Sequence, residues 1–214
     1  MTSESQNYIL RLATPEDKGG ILRLLREFFC KDEPTCDSLK IVSAENPVNH
    51  ALEDYCMKYF DDGVTVVAFH NENIIAMCLA GITERGKLDN FHCSDEMFLK
   101  TATFLGYVDQ QADSFKQFPE CDKALVINVV TVDTLYRGRG LASRLIQKTI
   151  ELGKERGCGF VTAQCTNHFS ALAMKKLGFQ LHYSLDYADY KVDGKVVFRT
   201  KPPHEAVTVY SKKI

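Results

Sequence analysis

The chain of 214 residues has no apolar run long enough to cross a membrane. A membrane-spanning helix needs about 20 consecutive apolar residues, and no segment of this sequence approaches that length. The first residues, Met1 to Ser5, are polar, so we expect no signal peptide. These absences predict a cytoplasmic protein with no membrane partner.

The sequence also lacks Cys-x-x-Cys pairs, the spacing that is typical of zinc sites. Cys158 and Cys165 are too far apart in the sequence to form a zinc knuckle. The eight cysteines are scattered through apolar segments, which is typical of reduced thiols that pack in a core. We therefore predict neither a disulfide framework nor a metal cofactor.

An excess of positive charge is absent as well, because the formal net charge is −2 at pH 7. A dedicated nucleic-acid-binding protein is usually basic, so we expect no nucleic-acid partner. The sequence has no internal repeat, low-complexity tract or interdomain linker, and its apolar content of 45% is that of an ordinary globular chain. We therefore predict a single domain over residues 1–214, with a monomer as the favoured assembly.

The periodicity of the apolar residues predicts alternating strands and helices. The predicted strands cover residues 8–12, 64–69, 74–82, 124–132, 160–165, 179–187 and 206–210. The predicted helices start near Thr14, Asn46, Ser94, Arg139 and Asn167. The first helix is expected to end before Pro34, with a loop after it, because the residue before a proline resists helical conformation. This order predicts a mixed α/β fold with a mainly antiparallel first half and a β-α-β unit in the second.

The most informative segment runs from Asn128 to Leu145. It starts as an apolar, β-branched run that predicts a buried strand, then passes through a turn with two glycines and two arginines and becomes helical. Glycines let the backbone approach a ligand closely, and the free N–H groups at a helix start attract negative charge. Arg137 and Arg139 add permanent positive charges that suit phosphate. The segment therefore predicts an anion-binding site.

The same turn has other interpretations, namely a plain glycine-rich helix start, a dinucleotide site or a nucleic-acid patch. The run from Gly138 to Ser143 lacks the third glycine of a dinucleotide motif, and the next strand carries no acid for a ribose. A single Arg-Gly-Arg-Gly in an acidic chain gives little support for a nucleic-acid patch. The plain helix start stays open.

Several segments of the chain resemble the GNAT superfamily of acetyltransferases. Arg137 to Ala142 follows a strand, opens a helix and fits R/Q-x-x-G-x-G/A, the acetyl-CoA signature of that superfamily. Asn167 to Phe179, which ends in Leu-Gly-Phe, resembles its later segment beside the cofactor sulfur. Phe29 to Pro34 contains Asp-Glu-Pro and resembles a segment of the insect arylalkylamine N-acetyltransferases, as do Ala188 to Lys191 and Val196 to Phe198.

This resemblance implies the GNAT fold, a mixed and mostly antiparallel sheet of about seven strands flanked by helices. The central strand at residues 128–132 would separate from its neighbour at 160–165, and the pantetheine arm of acetyl-CoA would lie in the gap. Acetyl-CoA is therefore the implied cosubstrate. The residues implied to contact it are Val130, Thr131, Val132, Arg137, Gly138, Arg139, Gly140, Leu141, Ala142, Ser143, Asn167 and Ser170.

The acceptor of the acetyl group must be a neutral amine. A model ammonium with a pKa of about 10.4 is neutral in only about one molecule in 10³ near pH 7. A positioned base typically accelerates such a step by about 10²- to 10⁴-fold. The resemblance implies that Glu33 is this base and that Asp32 helps to hold the ammonium. It also implies two catalytic hydroxyls, Thr166 and Ser170. The alternative for Ser170 is that it only caps its helix together with Asn167, and the two roles are compatible.

Some of the matching positions depart from the family or have a second interpretation. Tyr55 matches a tyrosine that the insect enzymes place against the aromatic amine, but its spacing also fits a core stripe. Thr166 stands where the family commonly has serine, and Thr35 stands where it usually has leucine. Cys165, with His168 three residues later, suggests a covalent acetyl-cysteine, but its place at the inward end of a buried strand argues against that route.

The implied function is acetyl-CoA-dependent N-acetylation of arylalkylamines such as dopamine, tyramine, octopamine and serotonin, by direct transfer. His168 and His204 are secondary candidates for moving protons. One rival is an N-acetyltransferase for aliphatic amines such as a polyamine or agmatine. Another is an acyl-CoA-binding protein with little turnover, against which the intact Glu33, Thr166 and Ser170 argue.

Overall fold

The computed structural model describes residues 8–87 and 91–214 and places seven strands in one sheet. In sheet order these are β1 (Ile9–Leu12), β2 (Val66–His70), β3 (Asn73–Glu84), β4 (Lys123–Val132), β5 (Phe160–Cys165), β9 (Ala206–Lys213) and β6 (Gln180–Asp186). A separate hairpin joins β7 (Lys191–Val192) to β8 (Lys195–Val196). The segment Met1 to Ser5, where no signal peptide is predicted, lies outside the described residues.

Helices cover both faces of the sheet. They are α1 (Lys18–Leu24), α2 (Cys30–Asp32), α3 (Pro34–Leu39), α4 (His50–Met57), α5 (Glu96–Ala112), α6 (Ser114–Gln117), α7 (Leu141–Glu155) and α8 (His168–Lys176). A π-helical turn at Leu25–Phe29 joins α1 to α2, so the chain stays helical almost as far as Glu33. Within residues 8–87 and 91–214, no helix is long and apolar enough to span a bilayer.

The sheet is antiparallel except at one pair. β4 and β5 run parallel and are connected through α7, whereas every other pair of neighbours in the sheet runs antiparallel. This arrangement confirms the predicted fold class, a mixed α/β chain with a mostly antiparallel sheet of seven strands. The bounds of β5 are those predicted from the sequence.

An apolar core lies on each face of the sheet because the side chains of β3 alternate between the faces. Cys78 and Ala80 pack in the cluster to which α7 contributes Leu145. Met77 and Leu79 pack in the cluster on the opposite face, which contains the apolar sides of α1 and α4.

The structure corrects the prediction for the segment after α2. Glu33 leaves the helix as predicted, with φ −80° and ψ 115°. The predicted loop after Pro34 is wrong, because the proline takes the first position of α3 and Glu33 becomes the N-cap of that helix. Proline is favoured at a first helical position, where its missing N–H would have had no helical partner. The correction matters because it fixes the backbone on both sides of the predicted base.

The predicted start of the second helix at Asn46 is also wrong. The carbonyl of Asn46 instead accepts a hydrogen bond from the N–H of Ser43 at 3.0 Å and closes a turn. Asn49 is the N-cap of α4, and its Oδ1 accepts from the N–H of Leu52 at 2.9 Å. Its amide group also donates to Asp95 Oδ2 at 2.8 Å, which ties the starts of α4 and α5 together.

A bulge on β4 opens the sheet next to β5. Leu79 and Ala80 are neighbours on β3 but pair with residues two apart on β4, so Asn128 is an extra residue there. A bulge bends its strand and interrupts regular pairing. β4 and β5 accordingly pair only as far as Ile127 and Ala163, although both strands continue beyond these residues. The predicted separation of the two strands therefore begins at Asn128.

Gly81 lets β3 pass against the end of α4, and replacing it with alanine is expected to destabilise the protein. A Cβ atom at this position would overlap Cβ and Cγ of Tyr59 and lie 2.8 Å from Asp62 Oδ2. Overpacking of this kind typically costs about 1–3 kcal/mol. We expect the melting temperature of Gly81→Ala to fall by about 2–4 °C for each kcal/mol lost.

The matched control is Gly106→Ala in α5, where a Cβ atom would meet nothing within 4 Å. Alanine is favoured over glycine inside a helix by about 0.5–1 kcal/mol, so this variant should be slightly more stable than the parent. Calorimetry of the two variants measures the contrast. Equal melting temperatures for both would contradict the close approach at Gly81.

Candidate active site

One cavity of about 1270 Å³ collects almost all of the predicted site residues. Its walls come from the α2–α3 junction, α4, α5, the gap between β4 and β5, and the starts of α7 and α8. The predicted residues that line it are Asp32, Glu33, Tyr55, Val130, Thr131, Val132, Arg137, Gly138, Gly140, Leu141, Ala142, Ser143, Thr166, Asn167 and Ser170. Arg139 is the predicted residue that lies elsewhere, since its guanidinium donates to the Tyr8 hydroxyl at 2.7 Å.

The turn before α7 presents backbone N–H groups to the cavity. Gly138 and Gly140 have φ of 76° and 74°, the left-handed conformation that glycine adopts without strain. Gly140 is the N-cap of α7, and the first N–H inside the helix that bonds back to its carbonyl is that of Arg144, at 3.1 Å. The N–H groups of the preceding first turn therefore point out of the helix, where its dipole is positive. These features fit an anion such as a pyrophosphate.

The open edge of β4 supplies further backbone groups. The N–H of Asp133 bonds to the carbonyl of Ile75 on β3 at 2.8 Å. Strand groups alternate in direction, so the backbone of Thr131 also faces β3, whereas Val130 and Val132 face the gap beside β5. The carbonyl of Val132 accepts from Arg137 Nε at 3.0 Å. An extended ligand in the gap would find its backbone partners mainly at Val130 and Val132.

Arg137 connects the glycine turn to the segment that carries the predicted base. Its guanidinium forms an ion pair with Asp32 across 2.7 Å, and both side chains are about half exposed. The sequence assigns Asp32 to the amine and Arg137 to phosphate, and the structure places the two against each other. The ion pair therefore lies where the predicted amine and acetyl-CoA sites meet.

Glu33 is 5% exposed and lies at the junction of α2 and α3. Its Oε2 accepts a hydrogen bond from the Thr166 hydroxyl at 2.7 Å. Its Oε1 accepts from the hydroxyl and from the N–H of Thr35, at 3.0 and 3.3 Å. Burial raises the pKa of the carboxyl, and the hydrogen bonds from Thr166 and Thr35 oppose that rise only in part. A carboxylate with a raised pKa is better matched to accepting a proton near neutral pH.

Thr166 is held at the end of β5 by a residue that the sequence did not single out. The Tyr187 hydroxyl donates to the carbonyl of Thr166 at 2.7 Å, and Tyr187 is 2% exposed. Burial raises the pKa of this phenol well above its usual range, so it stays a donor. Thr166 directly follows β5 and Tyr187 directly follows β6, and local sequence patterns carry no signal for their contact.

The start of α8 has the predicted cap. Asn167 Oδ1 accepts from the N–H of Ser170 at 2.9 Å, and the Ser170 hydroxyl donates to the carbonyl of Asn167 at 2.9 Å. Cys165, just before this helix, is 2% exposed, and burial raises the pKa of its thiol to about 12. Little thiolate exists at neutral pH with such a pKa, which favours direct transfer over an acetyl-cysteine.

Aromatic side chains form the end of the cavity near α4 and α5. Tyr55 lines this end, and the completely buried Phe98 packs behind it edge to face, with ring centroids 5.5 Å apart. Phe91 packs against Tyr55 in the same way, at 5.0 Å. Asn128 fixes the end of α4, because its amide group donates to the carbonyls of Cys56 and Tyr55 at 3.0 and 3.4 Å. A lone polar residue in an apolar strand was a signal for Asn128 that the sequence analysis missed.

Of the two histidines named as secondary candidates, His204 lines the cavity and His168 is the first residue of α8. The N–H of His168 donates to His204 Nδ1 at 3.2 Å, and the Phe169 ring lies against both imidazoles. Burial lowers the pKa of His204. Within the described part of the chain, no group of three or more His, Cys, Asp or Glu side chains is arranged to hold a metal ion.

A family model described as the acetyltransferase (GNAT) family matches residues 24–179. A solved structure of arylalkylamine N-acetyltransferase 2 from Aedes aegypti superposes with a TM-score of 0.89 at 28% identity, covering 97% of this chain and 99% of that one. A variant of agmatine N-acetyltransferase superposes at 0.87 and 22% identity, covering 97% and 99%. A polyamine N-acetyltransferase from Drosophila melanogaster superposes at 0.84 and 23% identity, covering 97% and 100%, and these last two likenesses concern the fold alone.

Proposed function

The chain belongs to the GNAT family of acetyltransferases, whose members bind acetyl-CoA, and from this premise we propose that its acceptors are arylalkylamines. Dopamine, tyramine, octopamine and serotonin are the expected substrates. The observation that carries the proposal is the aromatic end of the cavity, where the Tyr55 ring, backed by the buried Phe98, lines the same space as Glu33. Aromatic rings pack well edge to face against such a wall.

The proposed reaction begins with the loss of a proton from the bound ammonium. Holding an amine with a pKa of about 10.4 in its neutral form near pH 7 costs about 5 kcal/mol. Glu33 accepts this proton at Oε2, the oxygen bonded to the Thr166 hydroxyl at 2.7 Å. Since burial raises the pKa of Glu33, the transfer is less unfavourable than it would be to an exposed carboxylate.

The neutral amine then attacks the carbonyl carbon of the thioester, a C–N bond forms and the C–S bond breaks. Backbone groups at Val130 and Val132 hold the donor in the gap, and the first turn of α7 holds its pyrophosphate. The electron pair of the broken bond stays on sulfur, and the second proton of the amine nitrogen, released as the amide forms, passes to this sulfur, so that the products are the N-acetyl amine and the free thiol of CoA. The Ser170 hydroxyl, which lines the cavity, turns from the Asn167 carbonyl to donate a hydrogen bond to that sulfur.

A competition assay tests the proposed acceptor. We expect kcat/KM for tyramine to exceed that for agmatine by at least about tenfold, because a second cation would lose hydration against the aromatic wall while a ring gains contacts there. Initial rates with acetyl-CoA and tyramine, serotonin, agmatine or spermidine measure the order. Faster acetylation of agmatine or spermidine would favour the aliphatic rival.

Tyr55→Leu provides the matched control for this assay. The substitution removes a ring from the wall while keeping an apolar side chain, so it should raise KM for tyramine more than KM for agmatine. Equal effects on both amines would argue against Tyr55 as an aromatic contact. Tight binding of CoA without turnover of any amine would instead support an acyl-CoA-binding protein.

A further inference from the structure

Thr35 makes two hydrogen bonds to Glu33, the predicted base, and no sequence motif predicted this contact. It is completely buried, at the second position of α3, directly after the Pro34 that opens this helix. Both its hydroxyl and its N–H donate to Glu33 Oε1, at 3.0 and 3.3 Å. The insect arylalkylamine N-acetyltransferases, which this segment resembles, usually have leucine at this position, and leucine would supply the N–H but no hydroxyl.

The two oxygens of Glu33 consequently have different surroundings. Each carboxylate oxygen accepts about two hydrogen bonds. Oε1 already accepts two, both from Thr35, so its capacity is filled. Oε2 accepts one, from the Thr166 hydroxyl at 2.7 Å, and keeps room for a second donor. Thr166 also lies at the end of β5, where the gap for the donor opens.

We propose that Thr35 is a positioning residue that holds Oε1 and makes Oε2, beside Thr166, the oxygen that receives the proton of the amine. This inference rests on the proposed function, because it assigns different roles to the two carboxylate oxygens of Glu33, the base of the proposed reaction. Thr35 keeps the carboxylate ionised and correctly turned, and the Thr166 hydroxyl faces the incoming proton. The two threonines thus act on the same carboxylate in different ways.

The buried thiols and the buried phenol near Glu33 remain in one charge state over the pH range of an assay. Burial raises the pKa of the Cys30 thiol to about 12 and also raises the pKa of Cys36 and Cys56. The Tyr187 phenol, which faces Glu33 from the end of β6, is raised as well. These groups stay neutral, so they do not produce a titration near neutral pH.

Three further charged or titrating groups line the cavity, namely Asp32, Arg137 and His204. Asp32 and Arg137 form a charged pair there. His204 interacts electrostatically with Asp32, and burial lowers its pKa from the ordinary value of histidine. A separate His204→Asn variant identifies any part of the pH profile that belongs to this imidazole.

The decisive variant is Thr35→Val, which keeps the shape of the side chain and removes its hydroxyl. A hydrogen bond to the charged form lowers a carboxyl pKa, so losing it should raise the pKa of Glu33. The acidic limb of the kcat/KM profile for tyramine should move up by about one pH unit, which makes the variant about tenfold slower below the limb. At the plateau the variant should lose no more than about threefold, because the N–H of residue 35 still donates to Oε1, and Thr35→Ser should restore the parent profile.

Thr166→Val is the comparison variant, because it removes the hydroxyl that donates to the other carboxylate oxygen, Oε2. It also removes one donor, so its acidic limb should move up too, but its plateau kcat should fall by about tenfold or more, since the oxygen that receives the proton loses the hydroxyl that orients it. A limb that stays in place in Thr35→Val would overturn the proposal. So would an equal loss of plateau kcat in both variants. Thr35→Ala serves the same comparison if the valine variant does not fold.

A measurement that needs no turnover separates this inference from the proposed function. The ¹³Cδ resonance of Glu33, assigned through its absence in Glu33→Gln, reports the ionisation of the carboxyl directly. It should titrate about one pH unit higher in Thr35→Val than in the parent, whether or not any amine is acetylated. Identical titrations would refute the role of Thr35 even if the enzyme proves active on tyramine. A shifted titration without acetylation would sink only the proposed function.

Discussion

Replacing Glu33 with glutamine is expected to lower kcat/KM for tyramine by about 10²- to 10⁴-fold near pH 7, the usual contribution of a positioned base. Glutamine keeps the size of the side chain but cannot accept the proton of the ammonium. The residual rate should then rise about tenfold per pH unit, because only the neutral amine reacts. Initial rates from pH 6 to 9 measure both effects.

Glu27→Gln is the matched control for this experiment. Glu27 is an exposed glutamate of the preceding π-helical turn, and its carboxylate pairs with Arg23 at 2.8 Å. The same chemical change there should leave kcat/KM within a factor of about two, because exposed ion pairs contribute little. A Glu33→Gln enzyme as fast as the Glu27→Gln enzyme at pH 7 would remove Glu33 from the mechanism.

Measuring the free energy of unfolding of Glu33→Gln shows whether a loss of activity is caused by unfolding. The pKa of Glu33 is raised in the folded protein, so its contribution to the free energy of unfolding is largest below the usual carboxyl pKa. That contribution is lost as the pH rises through the raised value, because a buried charge must then form. A neutral glutamine escapes this loss, so the stability of the variant relative to the parent should improve as the pH rises above the usual carboxyl pKa.

The sequence alone predicted those parts of the site that depend on local chemistry. The strand 160–165 and the cap at Asn167 follow from apolar runs and from a side chain that bonds three residues ahead. The glycine turn before α7 was predicted for the same reason, since its left-handed residues are glycines. Short-range preferences of this kind are encoded in a few neighbouring residues.

Contacts between distant segments could not be predicted in this way. The hydroxyl of Thr166 reaches Glu33 across 133 positions, and Arg137 reaches Asp32 across 105. These pairs exist because the bulge at Asn128 separates β4 from β5 beside the α2–α3 junction. The register of the sheet is a property of all its strands together, so no single motif reports it.

The incorrect prediction of a loop after Pro34 shows how short-range sequence preferences and contacts between distant segments act together. The sequence rule was correct in taking Glu33 out of the helix, but it did not anticipate that a proline could start the next helix immediately. This restart turns a glutamate into an N-cap and aims its Oε1 at Thr35. The geometry of the predicted base therefore results from a helix boundary, where local preference and tertiary packing meet.

Replacing Gly140 with valine is expected to weaken the binding of CoA on the order of 100-fold, or about 2.7 kcal/mol. Gly140 has φ 74°, is the N-cap of α7 and lines the cavity. A Cβ atom at this position would meet no protein atom within 4 Å, so a side chain there would occupy open space. That space is where a pyrophosphate would approach the first N–H groups of the helix. The expected loss matches one or two hydrogen bonds to a charged group. Titration calorimetry with CoA, which requires no amine, measures it.

Gly157→Val separates this loss from a general effect of backbone strain. Gly157 has φ 81° just beyond the opposite end of α7, and a Cβ atom there would also meet nothing within 4 Å. Valine is strained in the left-handed region at both positions, so both variants should lose stability. Only Gly140→Val should lose CoA, because helix N-termini attract anions and C-termini repel them. Equal dissociation constants for the two variants would mean that the pyrophosphate does not bind at the start of α7.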